Sequence, residues 1–264
     1  MIPIRDDNPT FLTPYTTYAL IAANVAVWAL LQGFGANPAL ARSLCELALI
    51  PGELLQTVAA GTQIAVGPNT VCFLSAESNW ITPFSSMFMH GGWMHIIGNM
   101  WFLWIFGNNF EDATGSVRFA VFYVLCGLAA AAAQIVSNPA SPVPMVGASG
   151  AIGGVMGAYI LLFPRVRVHM LVFLGFLVTT IAVPAVLMLG YWFLVQLLQG
   201  AATVGAQGGG VAFWAHVGGF AAGAILILAF KNDTLLDMHP YHGWKQRSHP
   251  SRAWHQVSNR YNRR

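Results

Sequence analysis

Long, uninterrupted apolar runs dominate this chain, and they set its architecture before any other feature is considered. Runs long enough for a membrane helix, or close to it, fall at 15–32, 87–110, 117–136, 149–163, 184–199 and 211–230. A porin-like barrel reads differently, as segments of about ten residues with alternating polarity. The pattern therefore predicts an all-α, polytopic transmembrane helical bundle of six spans. One further apolar run, 169–183, leads straight into Pro184 and is expected to be an interfacial or membrane-dipping connector. Counted as a span of its own, it would make seven and move the carboxyl terminus to the opposite side.

Composition agrees with this reading. Of 264 residues, 56% are hydrophobic and only 8% charged, with a mean hydropathy of +0.59; soluble domains carry about 25% charged residues. Soluble, disordered and disulfide-dense secreted classes are thereby excluded, the last by its mere three cysteines. A net charge of +3 is no argument for nucleic acid here, because placement matters more than the sum.

Lys and Arg near span ends collect on the cytoplasmic side. With six spans and the amino terminus inside, Arg5, Arg118, Arg165, Arg167 and the seven tail cations all lie inside, leaving Arg42 alone outside. Seven spans would expel the basic tail. The expected organisation is a cytoplasmic segment 1–14, a membrane domain 15–230 with a large outer loop 33–84, and a basic cytoplasmic tail 231–264, solvated near anionic lipid. A signal-peptide reading of the first run, with Ala39-Leu40-Ala41 as cleavage site, fits poorly with its late start, its length and the preceding Asp6 and Asp7. The outer loop holds Cys45 and Cys72, for which a disulfide and two buried thiols stand as equal alternatives.

Ionisable or hydrogen-bonding groups inside hydrocarbon are costly and therefore point to function. The second run carries His90, His95 and Asn99, the fourth opens on Ser149, and the sixth contains His216. In the six-span topology, His95, Asn99, Ser149 and His216 all fall in the outer part of the bilayer. His95 and Asn99, four apart, share a helical face. Ser149 is framed by Gly147 and Gly150, which permit a tight turn, and a serine at a helix start sits at the positive end of the dipole. Gly150, Gly153, Gly154 and Gly157 in the fourth run, with Gly218, Gly219 and Gly223 in the sixth, suit close helix packing, which would bring His216 towards Ser149. Each feature has a plainer reading, as an N-cap, an interhelical hydrogen bond or simple packing. Together they supply a nucleophile, a base and oxyanion donors.

At these residues the chain resembles the rhomboid family of intramembrane serine proteases. Gly147-Ala148-Ser149-Gly150 is similar to that family's GxSG motif, His95 to Asn99 to HxxxN, and Ala215-His216-Val217-Gly218-Gly219 to AHxxG; His90 matches a further histidine ahead of HxxxN. The likeness covers about 87–230. Two positions differ: Trp80 is followed by Ile81 where a Trp-Arg pair is common, and Gly153 stands where an aromatic residue often stacks on the histidine.

The resemblance implies Ser149 as nucleophile and His216 as base, with His95 and Asn99 stabilising the oxyanion and His90, Gly147, Gly150 and Gly219 in support. It implies a Ser-His dyad without carboxylate, no cofactor, and transmembrane protein substrates in a lipid bilayer. Residues 205–210 are a candidate cap over a cavity opening outwards. His90 and His95, five apart, lack the HExxH pattern of a zinc protease, so no metal is expected. An inactive relative that binds membrane proteins, or a channel or transporter, is the alternative. The compact six-span form is similar to bacterial members, implying a plasma membrane with an outward-facing site.

Overall fold

The computed structural model describes residues 2–67, 70–175, 177–203, 211–237 and 239–243. Six long helices form its body: α1 (Tyr15–Leu30), α5 (Trp93–Thr114), α6 (Ser116–Ser137), α7 (Ser149–Leu162), α8 (Ala185–Ala202) and α9 (Phe213–Phe230). The loop after α1 contributes α2 (Ala39–Leu47), the one-turn helices α3 (Pro51–Leu54) and α4 (Thr82–Ser85), and a hairpin of β2 (Gln63–Gly67) with β3 (Thr70–Phe73). A further turn, α10 (Asp233–Leu236), follows α9. By length and composition α6, α8 and α9 suffice to cross a membrane, and α1 and α7 are shorter apolar helices.

Each long helix coincides with an expected run, with α5 displaced at both ends and α8 extended to Ala202. The second run was expected from residue 87, but α5 begins at Trp93, because Gly91 and Gly92 break the chain after a short turn. His90 therefore lies in the loop ahead of the helix, fully buried. At its other end α5 extends to Thr114, carrying Glu111 and Asp112 into its last turn.

The all-α expectation misses two small sheets. The run 169–183, expected as a connector, is not helical: it forms the hairpin β4 (Arg167–Leu174) and β5 (Leu177–Pro184), to which β1 (Ile2–Asp6) adds as a third, antiparallel strand in the order β1-β4-β5. The physical reason is the β-branched content of this run, with Val172, Val178, Thr179, Thr180, Ile181 and Val183.

Carboxylates at the end of α5 fix how the chain enters α1. Pro14 gives α1 no side-chain cap, and its first-turn N–H groups need acceptors. Glu111 supplies them: its oxygens accept from the Thr16 and Thr17 amides, both at 2.9 Å. Asp112 likewise accepts from the Phe11 and Leu12 amides at 2.6 and 2.8 Å. The start of the tail closes over this junction. His239, 1% exposed, lies between the Phe11 and Phe163 rings, and burial lowers its pKa to about 3. Of the first tail residues, Leu235, Leu236 and His239 are buried while Asp233, Thr234 and Asp237 are exposed, and the Gly243 amide donates to the Leu162 carbonyl at 2.8 Å.

Asp6 joins the same junction, accepting a 2.5 Å hydrogen bond from the Tyr159 hydroxyl. Burial outweighs that bond and raises the Asp6 carboxyl from 3.8 to about 6. A raised folded-state pKa means the folded protein holds the proton more tightly, so the stability this group confers is complete below pH 3.8 and is lost as pH rises to about 6. The Asp6→Asn variant is expected to lack that part of the slope. Thermal midpoints in detergent from pH 4 to 8 check it: parallel wild-type and variant curves would remove Asp6 from the account.

Candidate active site

The small residues of α7 and α9 let their backbones touch. A Cβ at Gly219 would collide with the Gly150 carbonyl, one at Gly223 with the Gly154 carbonyl, and one at Gly157 with the Phe220 carbonyl. On the far side of the pair, a Cβ at Gly150 would meet Ala130 of α6 at 2.5 Å. These contacts set the registry of α9 on α7 and hold His216, three residues before Gly219, against the first residue of α7.

That residue is Ser149. Its Oγ lies 2.8 Å from Nε2 of His216, so the two residues that the sequence pairs are brought into hydrogen-bond contact. The turn into α7 needs Gly147, whose φ is +123° and whose absent Cβ leaves room for Nε2 of His95, which would be 2.6 Å away. The Gly147 amide is tied to the Ser86 carbonyl at 2.9 Å. As the first helical residue, Ser149 presents a backbone N–H with no partner inside the helix.

His95 and Asn99 reach the site from α5, one turn apart. Nδ1 of His95 accepts from the Gly91 amide at 3.3 Å, leaving Nε2 facing Gly147. The Asn99 side-chain nitrogen is buried, has no hydrogen-bond partner among the described residues, and would stand 3.5 Å from a Cβ on Gly147. A buried amide donor without an acceptor is costly and marks a place where an acceptor is to arrive. His90 packs its ring edge-on against His95, with centroids 5.1 Å apart, and its backbone is clamped by Gln32, which donates to the His90 carbonyl and accepts from its amide, both at 2.8 Å.

Ser149, His216, His95, Asn99 and Gly147 line one cavity of about 500 Å³, which Met145, Phe102 and Trp192 wall with apolar surface. Residues 205–210, the candidate cap, lie outside the described residues.

Two side chains that the sequence reading did not single out also bear on the site, and both come from α8. The Trp192 ring lies 5.7 Å from that of His216, tilted by 37°. One turn further on, Gln196 accepts at Oε1 from Nδ1 of His216 at 2.8 Å. Gln196 is one of two side-chain amides in the apolar run 184–199, the other being Gln199, and that polar pair was the available signal. The described residues contain no cluster of His, Cys, Asp and Glu able to hold a metal ion. In the loop after α1, Cys45 and Cys72 form a disulfide joining α2 to β3, where a disulfide and two buried thiols were equal expectations.

A half-buried serine and histidine in hydrogen-bond contact where close-packed apolar helices meet define a class of helical membrane protein with a polar pair at a helix junction. Residues 77–232 match the Rhomboid domain family, and the chain belongs to that family. It is 32% identical over 155 residues to "Rhomboid protease GluP" of Bacillus subtilis (strain 168), covering 58% of this chain and 27% of that protein. It is 29% identical over 151 residues to "Rhomboid protein 1, mitochondrial" of Saccharomyces cerevisiae, covering 55% and 40%. The chain therefore spans about a quarter to two fifths of the length of these curated relatives.

Proposed function

We propose that this membrane protein is an intramembrane serine endopeptidase that cleaves transmembrane segments of other proteins, with Ser149 as nucleophile and His216 as general base and acid. The observation that carries the reading is the 2.8 Å contact between Ser149 Oγ and His216 Nε2, inside a cavity that an unpartnered Asn99 amide faces. Ser149 Oγ attacks the scissile carbonyl while Nε2 takes its proton, and Nε2 returns that proton to the leaving amine. Water then hydrolyses the acyl-enzyme with the same base. The Ser149 N–H, Asn99 and His95 converge on the space where the carbonyl oxygen becomes an anion.

Six spans with both termini cytoplasmic are the topology proposed. Charge placement favours it, and the Cys45–Cys72 disulfide suits an outer, oxidising compartment. At 1.5 Å per residue, the 14 residues of α7 reach about 21 Å, short of the roughly 30 Å hydrocarbon core. A helix anchored at its inner end thus begins below the outer surface, which sets Ser149 within the bilayer but near enough to the outside for water to enter. A plasma membrane is the proposed location. Substrates would be membrane helices that unwind locally, since an intact helix shields its carbonyls.

The test is cleavage of a single-span substrate in liposomes by the full-length protein. A fluorophosphonate is expected to stop cleavage and add its mass to the peptide containing Ser149, while a chelator leaves the rate unchanged. Cleavage that resists the fluorophosphonate, or that the chelator abolishes, would overturn the reading. Asn99→Ala is expected to lower kcat by about 10²–10³, the usual cost of one oxyanion donor, with KM little altered; a wild-type kcat would remove Asn99 from the oxyanion site.

A further inference from the structure

An imidazole that accepts a serine proton at Nε2 must carry its own proton on Nδ1 beforehand. What lies at Nδ1 therefore decides whether the Ser149–His216 pair is competent. On this chain it is Gln196: its amide oxygen lies 2.8 Å from Nδ1, its side chain is buried, with 8% of the residue exposed, and its helix α8 also supplies the Trp192 ring beside the same imidazole. An amide oxygen only accepts hydrogen bonds, so this contact exists only when the proton sits on Nδ1.

We propose that Gln196 is a positioning residue for the reaction, fixing His216 in the Nδ1–H tautomer and in the ring plane that aims Nε2 at Ser149. This rests on the peptidase reading above. In soluble Ser-His-Asp sites a buried carboxylate does the same work. Inside a membrane an ionised carboxylate is expensive, and a neutral amide selects the tautomer without burying a charge. Gln196 takes and gives no proton during turnover. The Ser149 proton moves to Nε2 and on to the leaving amine, while the Nδ1 proton stays on the ring, hydrogen-bonded to the amide oxygen throughout. The opposite amide orientation would donate to Nδ1, put the ring proton on Nε2, and leave no base. Gln196 thus holds the imidazole at its Nδ1 edge, and Trp192, four residues earlier, sets a tilted ring beside it.

The requirement for an acceptor, rather than for bulk, makes the proposal testable with two substitutions of similar size. Gln196→Glu keeps an acceptor at the same reach, whereas Gln196→Leu fills the space and removes it. The readouts on the full-length protein are the rate of fluorophosphonate labelling at Ser149, kcat and KM for a single-span substrate from pH 5 to 9, the melting temperature, and the ¹⁵N shifts of the labelled His216 ring. For Gln196→Leu we expect labelling and kcat to fall by about 10- to 100-fold, below the roughly 10⁴-fold cost of enforcing the wrong tautomer in a carboxylate triad. KM and melting temperature should hold, and the ring should shift to a mixture of tautomers. Gln196→Glu should retain labelling and kcat near wild type, with the acid limb of its kcat profile displaced to higher pH, because a carboxylate stabilises the imidazolium.

A Leu variant with wild-type labelling, pH profile and ring shifts would overturn the assignment. So would equal loss of rate in the Leu and Glu variants accompanied by a lowered melting temperature, which is the signature of packing alone. A wild-type protein that the fluorophosphonate does not label overturns the peptidase reading itself, and is seen before any Gln196 variant is compared.

Discussion

Replacing Ser149 with alanine is expected to lower kcat by about 10⁶, to the background of the assay, while leaving the protein folded and its substrate affinity intact. That magnitude is what loss of a nucleophile or its paired histidine costs in soluble serine proteases. The contact between Ser149 Oγ and His216 Nε2 gives the reason for expecting it here: the two groups act as one unit, since the serine is a weak nucleophile without a base, and the base has no proton to take without the serine. His216→Ala should therefore be about as damaging as Ser149→Ala, and the double variant no worse than either. Alanine is smaller than serine and fits the helix start, so the melting temperature in detergent should stay within a few degrees. Liposome cleavage of a single-span substrate by the three variants decides the matter. Residual cleavage in Ser149→Ala well above background would show that another group attacks the carbonyl, and effects that multiply in the double variant would separate the two residues.

Much of this site was legible because membrane chemistry thins out the alternatives. Ser149, His216, His95 and Asn99 stand out in apolar runs, and the glycine spacing on either side of Ser149 and His216 foretold that their helices would touch. The glycine contacts show how: the carbonyls of Gly150 and Gly154 on α7 fill the places where Cβ atoms of Gly219 and Gly223 would stand. Gln196 escaped notice because its meaning depends on which helix face packs where. Its partner is 20 residues away on another helix, and nothing in a single run says which side of α8 meets α9. The hairpin β4–β5 was hidden for a different reason. A continuous apolar stretch has no periodicity to separate strand from helix, and only its β-branched residues pointed the right way. The capping of α1 by Glu111, across 95 residues, is a long-range contact without local signature; the sequence placed that carboxylate at the end of a run but said nothing of its partner. The likeness to known rhomboids adds weight in the region 77–232, which includes every residue assigned to the site.

Gly219→Val is expected to destroy activity by a route that leaves every reacting group in place. Even the first carbon of the new side chain would stand only 2.0 Å from the Gly150 carbonyl oxygen. That atom belongs to helix backbone, so no rotamer change can make room and α9 must move away from α7. His216 lies one turn before Gly219 and moves with it, and about 1 Å of misplacement costs on the order of 10²-fold in rate. Overpacking adds a stability loss of about 1–3 kcal/mol or more. The expected outcome is loss of cleavage and of fluorophosphonate labelling together with a lowered melting temperature. Gly190→Ala is the matched control: it sits mid-helix on α8, where a Cβ would meet nothing within 4 Å. Replacing a helical glycine in open space relieves conformational entropy, worth about 0.5–1 kcal/mol, so that variant should keep its activity and melt no lower than wild type. Opposite signs for the two substitutions would tie the loss at Gly219 to the α7–α9 contact. A Gly219→Val protein that labels at the wild-type rate would mean that the registry of α9 does not position His216.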